Sequence, residues 1–282
     1  MTQAAETAAV QKEFIQVGNI KTWSLSAGSG EPVLLLHGMA ASSYSWRHLL
    51  PALAGRFRVY APDFPGFGRS GKPANFDYSV FGYQKFLLAY MDEMGLDKAH
   101  LIGNSMGGMV SLLTAIEQPE RIKKLVLIAA PAYPDSMPVS IKAMCFNPLA
   151  SFLRKNLGRW SVELITRRLF VDHRLITKEL VDEYAAPLET PEGRRAIIKL
   201  ARNMAKVTAH AKKYQPLFKK TPHETLIICG DKDALVSLAS ARRLSREMPN
   251  AKFLPIASCG HGPQEEKPDV VNKAVLEFLN QP

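Results

Sequence analysis

The chain of 282 residues is poor in cysteine, with only Cys145, Cys229 and Cys259. An odd number at these spacings builds neither a disulfide framework nor a zinc site, and there is no C-x-x-C pair. A reducing, cytoplasmic setting is the expectation, with Cys229 packed as a small core residue. Long hydrophobic runs are also missing. No segment holds the roughly 18 uninterrupted apolar residues that a membrane span needs. The opening "MTQAAETAAVQKEF" lacks a basic region followed by an apolar one. It does not read as a secretory signal, and residues 1–13 read as a flexible terminus. There is no internal repeat, RNP-type aromatic motif, zinc-finger spacing or Gly-rich phosphate loop. No nucleic-acid partner is therefore expected, although the net charge is +10.

Acidic residues are scarce in one region in particular. Residues 141–220 hold 17 Lys and Arg against 7 Asp and Glu, which accounts for the whole net charge of +10. The plainer reading is a solvated helical surface; the other is peripheral contact with an anionic membrane.

What is present is an alternation. Short apolar runs, "PVLLLHG" (32–38), "RVYAPDF" (58–64), "AHLIGN" (99–104), "KLVLIAA" (124–130), "ETLIICG" (224–230) and "AKFLPIA" (251–257), read as buried strands. A strand pair over 14–27 turns near Gly18-Asn19. Helical patterns over 80–95, 106–117, 238–248 and 269–279 separate the later runs. This order argues for a mostly parallel sheet with helices on both faces. Residues 135–220 break the alternation and read as a helical insertion, a cap over the strand ends. The sheet-forming core is then 14–134 and 221–282. Trp160, Leu164, Ile165, Leu169 and Phe170 are expected on the underside of the cap, facing the sheet.

One stretch carries chemistry. "LIGNSMGGMV" (101–110) places Ser105 between a strand and a helix, within a G-x-S-x-G pattern. A sharp turn there exposes the nucleophile at a helix N-terminus, where free N–H groups stabilise negative charge. Side chains at the flanking glycines would collide with neighbouring backbone. A serine hydroxyl needs a base and a group to orient the base. His261, in the Gly260-His261-Gly262 turn after the last strand, is the base candidate. The acid candidate lies in "IICGDKDALVS", after the preceding strand. Asp233 gives the chain order Ser, Asp, His, with Asp231 and the more remote Asp135 as alternatives.

These stretches, with "LLLHGMAASSYSWR", "APDFPGFGRSGKP" and "CGHGPQEEKPDVVNKAVLEFL", resemble the α/β-hydrolase fold superfamily from about residue 14 onward. The resemblance implies an α/β fold with a mostly parallel eight-stranded sheet and a helical cap inserted after strand 6. It favours Asp233 as the acid, with Ser237 where proline is more usual. It implies an oxyanion hole made by the backbone N–H groups of Met39 and Met106. It gives His37 a bracing role in its turn; His100 reads as structural, and His48, His173, His210 and His223 carry no motif. Cys259 reads as a packed strand-end residue.

Haloalkane dehalogenases and epoxide hydrolases of this fold carry aspartate at the elbow, so serine implies acyl transfer, without metal or organic cofactor. The leading expectation is an esterase or lipase-like enzyme acting on a small apolar acyl ester. The alternative is a carbon–carbon bond hydrolase of the meta-cleavage-product type, whose Gly-Asn-Ser-Met-Gly-Gly elbow is similar. Against it, "HGMAAS" stands where that group has "HGSGPG", and Gly262 stands where tryptophan is frequent. A third reading is a small-ligand sensor without turnover.

Overall fold

The computed structural model of the protein describes residues 9–133 and 157–281, without the side chains of 204–212. Eight strands form one sheet: β1 (Gln11–Val17), β2 (Ile20–Ala27), β3 (Glu31–Leu36), β4 (Phe57–Pro62), β5 (Ala99–Asn104), β6 (Ile122–Ile128), β7 (Thr225–Gly230) and β8 (Ala251–Ile256). Their order is β1-β2-β4-β3-β5-β6-β7-β8. β1 and β2 pair antiparallel, as do β2 and β4, and every later pairing is parallel. β1 begins at Gln11, inside the stretch expected to be flexible. Its first residues point outward, so pairing rather than side-chain burial defines the strand, and no apolar alternation announces it.

The helices of the core are α1 (Leu49–Leu53), α2 (Val80–Glu93), α3 (Met106–Glu117), α7 (Leu238–Glu247), α8 (Pro263–Glu266) and α9 (Pro268–Leu279). Between β6 and β7 lie α4 (Arg159–Leu169), α5 (Lys178–Ala185) and α6 (Pro191–Phe218). Strand residues alternate between two cores, because successive side chains leave a strand on opposite faces. Leu34, Leu36, Leu101, Leu125 and Leu127 pack with α2 and α3 on one face. Val33, Leu35, Ile102, Val126 and Ile128 pack with α1 and α9 on the other. Both faces are covered, which is why these strands are continuous apolar runs. Helices α2, α5 and α6 start at a side-chain cap: in α2 Ser79 accepts from Gly82 N–H, in α5 Thr177 from Leu180 N–H and in α6 Thr190 from Gly193 N–H.

The cap departs from expectation in one respect. Phe170 is buried and Leu169 packs partly against the core, as expected. Trp160, Leu164 and Ile165 are instead 55%, 57% and 50% exposed. The buried residues of α4 are Ser161, Val162 and Thr166. Ser161 and Thr166 satisfy their hydroxyls on Gly158 and Val162 carbonyls, so small polar residues face inward without penalty. No described helix is long and apolar enough to cross a membrane.

Candidate active site

The strand order places the site. β3 leads through α1 to β4 on one side, and β4 leads through α2 to β5 on the other. The chain therefore diverges between β3 and β5, where a crevice opens outside the carboxyl ends of parallel strands. The turn after β3 carries Met39, and the turn after β5 carries Ser105.

Ser105 sits at φ 52° and ψ −115°, a conformation that side chains rarely adopt. The backbone on both sides holds it there. Its N–H donates to the Ile128 carbonyl at 2.8 Å, and its carbonyl accepts from Met109 N–H at 3.1 Å. The adjacent glycines have physical causes. A Cβ on Gly103 would collide with Gly107 backbone, and one on Gly107 with the Leu36 carbonyl. One on Gly108 would lie 2.6 Å from Ala130 Cβ. These contacts let α3 pack tightly against β5, β3 and the end of β6. Ser105 itself is half-buried, and Met106 opens α3 at a position whose N–H has no partner within the helix.

His261 lies just before α8 and is largely buried. Its Nδ1 is 2.9 and 3.0 Å from the two carboxylate oxygens of Asp233. A carboxylate only accepts, so Nδ1 carries a proton, and in the neutral ring this tautomer makes Nε2 the acceptor. The Asp233 carboxylate is fully buried and also accepts from the Leu235 and Val236 N–H groups, at 2.8 and 2.9 Å. Asp231 is exposed and accepts instead from Cys259 N–H at 3.3 Å. Asp233, not Asp231, is thus the aspartate that meets His261; Asp135 and Cys145 lie outside the described residues.

The elbow and the histidine loop are tied together by a residue whose role the sequence did not disclose. Asn104 Nδ2 donates to the His261 carbonyl and to the Ile128 carbonyl, each at 3.3 Å. An asparagine directly before Ser105 is the sequence signal for it. Gly38 approaches the elbow so closely that its Cβ would lie 3.3 Å from Ser105 Cβ. Met39, partly buried, follows in that turn.

His37 braces two turns. Phe64 N–H donates to its Nε2 at 2.8 Å, so Nδ1 carries the proton and donates to the Gly38 carbonyl at 2.8 Å. Complete burial pushes its pKa down and keeps it neutral, against the pull of Asp63. Asp63 in turn accepts from Ser43 N–H at 2.6 Å and Arg69 N–H at 2.8 Å. His100 meets Glu31, His223 the Pro119 carbonyl and His173 the Arg167 carbonyl, all outside this site. Burial pushes the thiols of Cys229 and Cys259 up to about 12, which leaves neither as a nucleophile near neutral pH.

Fold and geometry together define a hydrolase with a strand-to-helix elbow. A family model described as the alpha/beta hydrolase fold matches residues 31–268, and the chain belongs to that family. Over 99% of both chains it is 31% identical to the 2-hydroxy-6-oxo-6-phenylhexa-2,4-dienoate hydrolase of Burkholderia cepacia. Its structure is similar to that of a meta-cleavage product hydrolase, CumD of Pseudomonas fluorescens IP01, with a TM-score of 0.83 and 28% identity over 95% of this chain and 97% of that one. A bacterial membrane phospholipase A is similar as well, with a TM-score of 0.73 and 27% identity over 96% of this chain and 86% of that one.

Proposed function

We propose that the protein hydrolyses a carbon–carbon bond beside a ketone in a 2-hydroxy-6-oxo dienoate, with Ser105, His261 and Asp233 as nucleophile, base and orienting acid. The observation that carries this reading is the 31% identity to a dienoate hydrolase along 99% of both chains. It replaces ester hydrolysis, the leading expectation from sequence, as the first choice.

The residues have work to do at each step. Carbon is a poor leaving group unless its electron pair is delocalised. Transfer of the 2-hydroxyl proton to the chain gives a ketone that can receive that pair. Ser105 Oγ then attacks the 6-oxo carbon while His261 Nε2 takes the hydroxyl proton. The backbone N–H groups of Met39 and Met106 hold the resulting oxyanion. Cleavage returns the proton from His261 to the departing carbon and leaves an acyl ester on Ser105. Water, deprotonated by the same histidine, releases a carboxylic acid and restores the serine. Asp233 holds His261 in the tautomer this sequence needs and offsets the charge that His261 gains.

Ester hydrolysis is the second reading, and three observations favour it. The turn "HGMAAS" and the small Gly262 depart from the meta-cleavage pattern. The similarity to a phospholipase A adds to them. The same triad serves either bond. The test is turnover of a 2-hydroxy-6-oxo-6-phenyl dienoate, followed by loss of its visible absorbance, beside p-nitrophenyl esters of rising chain length. Ser105→Ala is run with each. Serine-dependent turnover of the dienoate at the higher kcat/KM supports the first reading. Serine-dependent turnover of esters alone transfers the assignment to the second. Binding without turnover of either would identify a sensor and overturn both.

A further inference from the structure

A buried carboxylate that the proposed chemistry does not use lies four residues after His261. Glu265 is 6% exposed and stands on α8. Its Oε2 accepts from Arg47 Nη1 at 2.6 Å and from the Tyr184 hydroxyl at 2.9 Å. The guanidinium of Arg47 lies 4.4 Å from the ring centre of Tyr44, and that ring meets Tyr184 edge-on at 6.1 Å.

The four residues come from three separate parts of the molecule. Tyr44 and Arg47 belong to the tight helical turn Ser43–Trp46 and its C-terminal cap, directly after the turn that holds Met39. Glu265 belongs to the helix that follows His261. Tyr184 belongs to α5 in the cap. The second oxygen of Glu265, Oε1, lies within 3.6 Å of the Cβ position of Gly262, next to His261, and the Phe170 ring of the cap lies equally near.

Electrostatics argue against a simple stabilising role. Burial raises the pKa of Glu265, against the pull of Arg47 and Tyr184, and burial of Tyr184 drives its hydroxyl well above 10. A buried ion pair is often no more stabilising than an apolar cluster of the same shape, because both charges lose their water. What it supplies is direction, since one carboxylate oxygen shared by two donors fixes both. Acyl chemistry needs that direction here. The oxyanion donor after β3, the base after β8 and the cap over the substrate must be held in register to a fraction of an ångström.

We propose that Glu265 is a positioning residue which, through Arg47 and Tyr184, holds the oxyanion turn, the His261 loop and the cap in register for attack by Ser105. The inference rests on the triad reading of the site and is indifferent to the bond cleaved. Its neighbour Glu266 pins the same loop by backbone contacts. Glu266 accepts from Gly260 N–H at 2.8 Å and Val171 N–H at 2.7 Å, while His261 N–H donates to the Leu169 carbonyl at 2.8 Å. Glu265 adds the link to the oxyanion turn.

The experiment measures the rate at which a fluorophosphonate phosphonylates Ser105 in the full-length protein, read by intact mass, with thermal midpoints alongside. Fluorophosphonates need the oxyanion hole and the histidine but not the physiological substrate. Glu265→Leu is expected to slow labelling about 10²-fold, the order that a misplacement of about 1 Å costs. Glu265→Gln, which keeps an acceptor for both donors, is expected to recover most of that loss. Arg47→Met in the Glu265→Leu background should add little. Leu244→Ala, in the distant α7 core, serves as a destabilised control and should lower the midpoint without slowing labelling. Equal labelling rates in the parent, Glu265→Leu and Glu265→Gln would overturn the inference. So would losses that track the thermal midpoint in all variants. No labelling of the parent at Ser105 would instead overturn the triad reading on which it rests. If Glu265→Leu does not fold, Tyr184→Phe still decides: it is expected to slow labelling measurably at an unchanged midpoint, and a parental rate would overturn the inference.

Discussion

The carboxyl end of the central strands and the cap above it hold their residues by different means. At the strand ends, position is enforced by backbone packed so tightly that side chains are excluded. Gly103 and Gly107 each face backbone where a Cβ would collide, and Ser105 is held at φ 52° between Ile128 and Met109. In the cap, position is enforced largely by side chains: buried apolar residues such as Phe170, Leu180 and Ile197, and polar links from Tyr184 to Glu265, Val171 N–H to Glu266, and Arg69 to Glu183 at 3.0 Å. The cap also leaves Leu164 and Ile165 half exposed while it buries Ser161 and Thr166. A backbone-on-backbone contact has no room to adjust. A contact between side chains depends on which residues the chain supplies there. One region thus fixes its geometry through backbone, and the other through particular side chains.

The sharpest way to break this comparison is at the acid. Asp233→Asn is expected to lower kcat by about 10⁴-fold on whichever substrate turns over, since the wrong tautomer of His261 is then favoured. Asp231→Asn should leave kcat within about twofold, because its carboxylate meets Cys259 N–H and not His261. Equal losses would mean that the aspartates share the role.

Packing at the elbow comes next. Gly107→Ala forces a methyl onto the Leu36 carbonyl, and urea unfolding should show a loss of about 3 kcal/mol or more. An unchanged midpoint would show that α3 can shift away from β3, and the claimed rigidity of the elbow would fail.

The third prediction contrasts two apolar residues within the cap. Phe170→Ala removes a buried ring and should cost about 3–4 kcal/mol in the same measurement. Leu164→Ser, on the exposed face of α4, should stay within about 0.5 kcal/mol of the parent. Comparable losses would mean that the exposed stripe is covered in solution.

The smallest effect is with pH. His37 is buried with a folded pKa below its unfolded value of about 6.5, and His100 and His223 are depressed by burial too. A depressed pKa contributes stability that is present above the unfolded value and is lost as pH falls through and below it. The thermal midpoint should therefore decline from pH 7 to pH 5. His37→Asn, less stable at pH 7, should show a shallower decline over that range. A flat profile in the parent would mean that these rings become charged without cost.

The order of strands and helices was legible because both sheet faces are covered, which turns β3, β5, β6 and β7 into plain apolar runs. The elbow was legible because its glycines answer to local backbone collisions. Asp233 was narrowed by chain order and resemblance, and its contact with His261 separated it from Asp231. Helix α5, the start of β1 and the orientation of α4 were not read from the sequence. α5 is short, β1 is an edge strand with outward-facing polar residues, and α4 carries apolar residues on both of its faces. Periodicity locates such a helix but does not say which face is buried.

By itself, then, the sequence determined a doubly covered, mostly parallel sheet, a strained serine elbow and a histidine in a glycine-flanked turn, because each depends on contacts between residues near in sequence or on hydrophobic patterning. Only the tertiary structure decided which aspartate meets His261, that Asn104 ties the elbow to the histidine loop, and that Arg47, Tyr184 and Glu265 converge from 47, 184 and 265 onto a single carboxylate oxygen. Those are contacts between side chains far apart in the chain, and nothing local in their composition favours one partner over another until the sheet and the cap have closed around them.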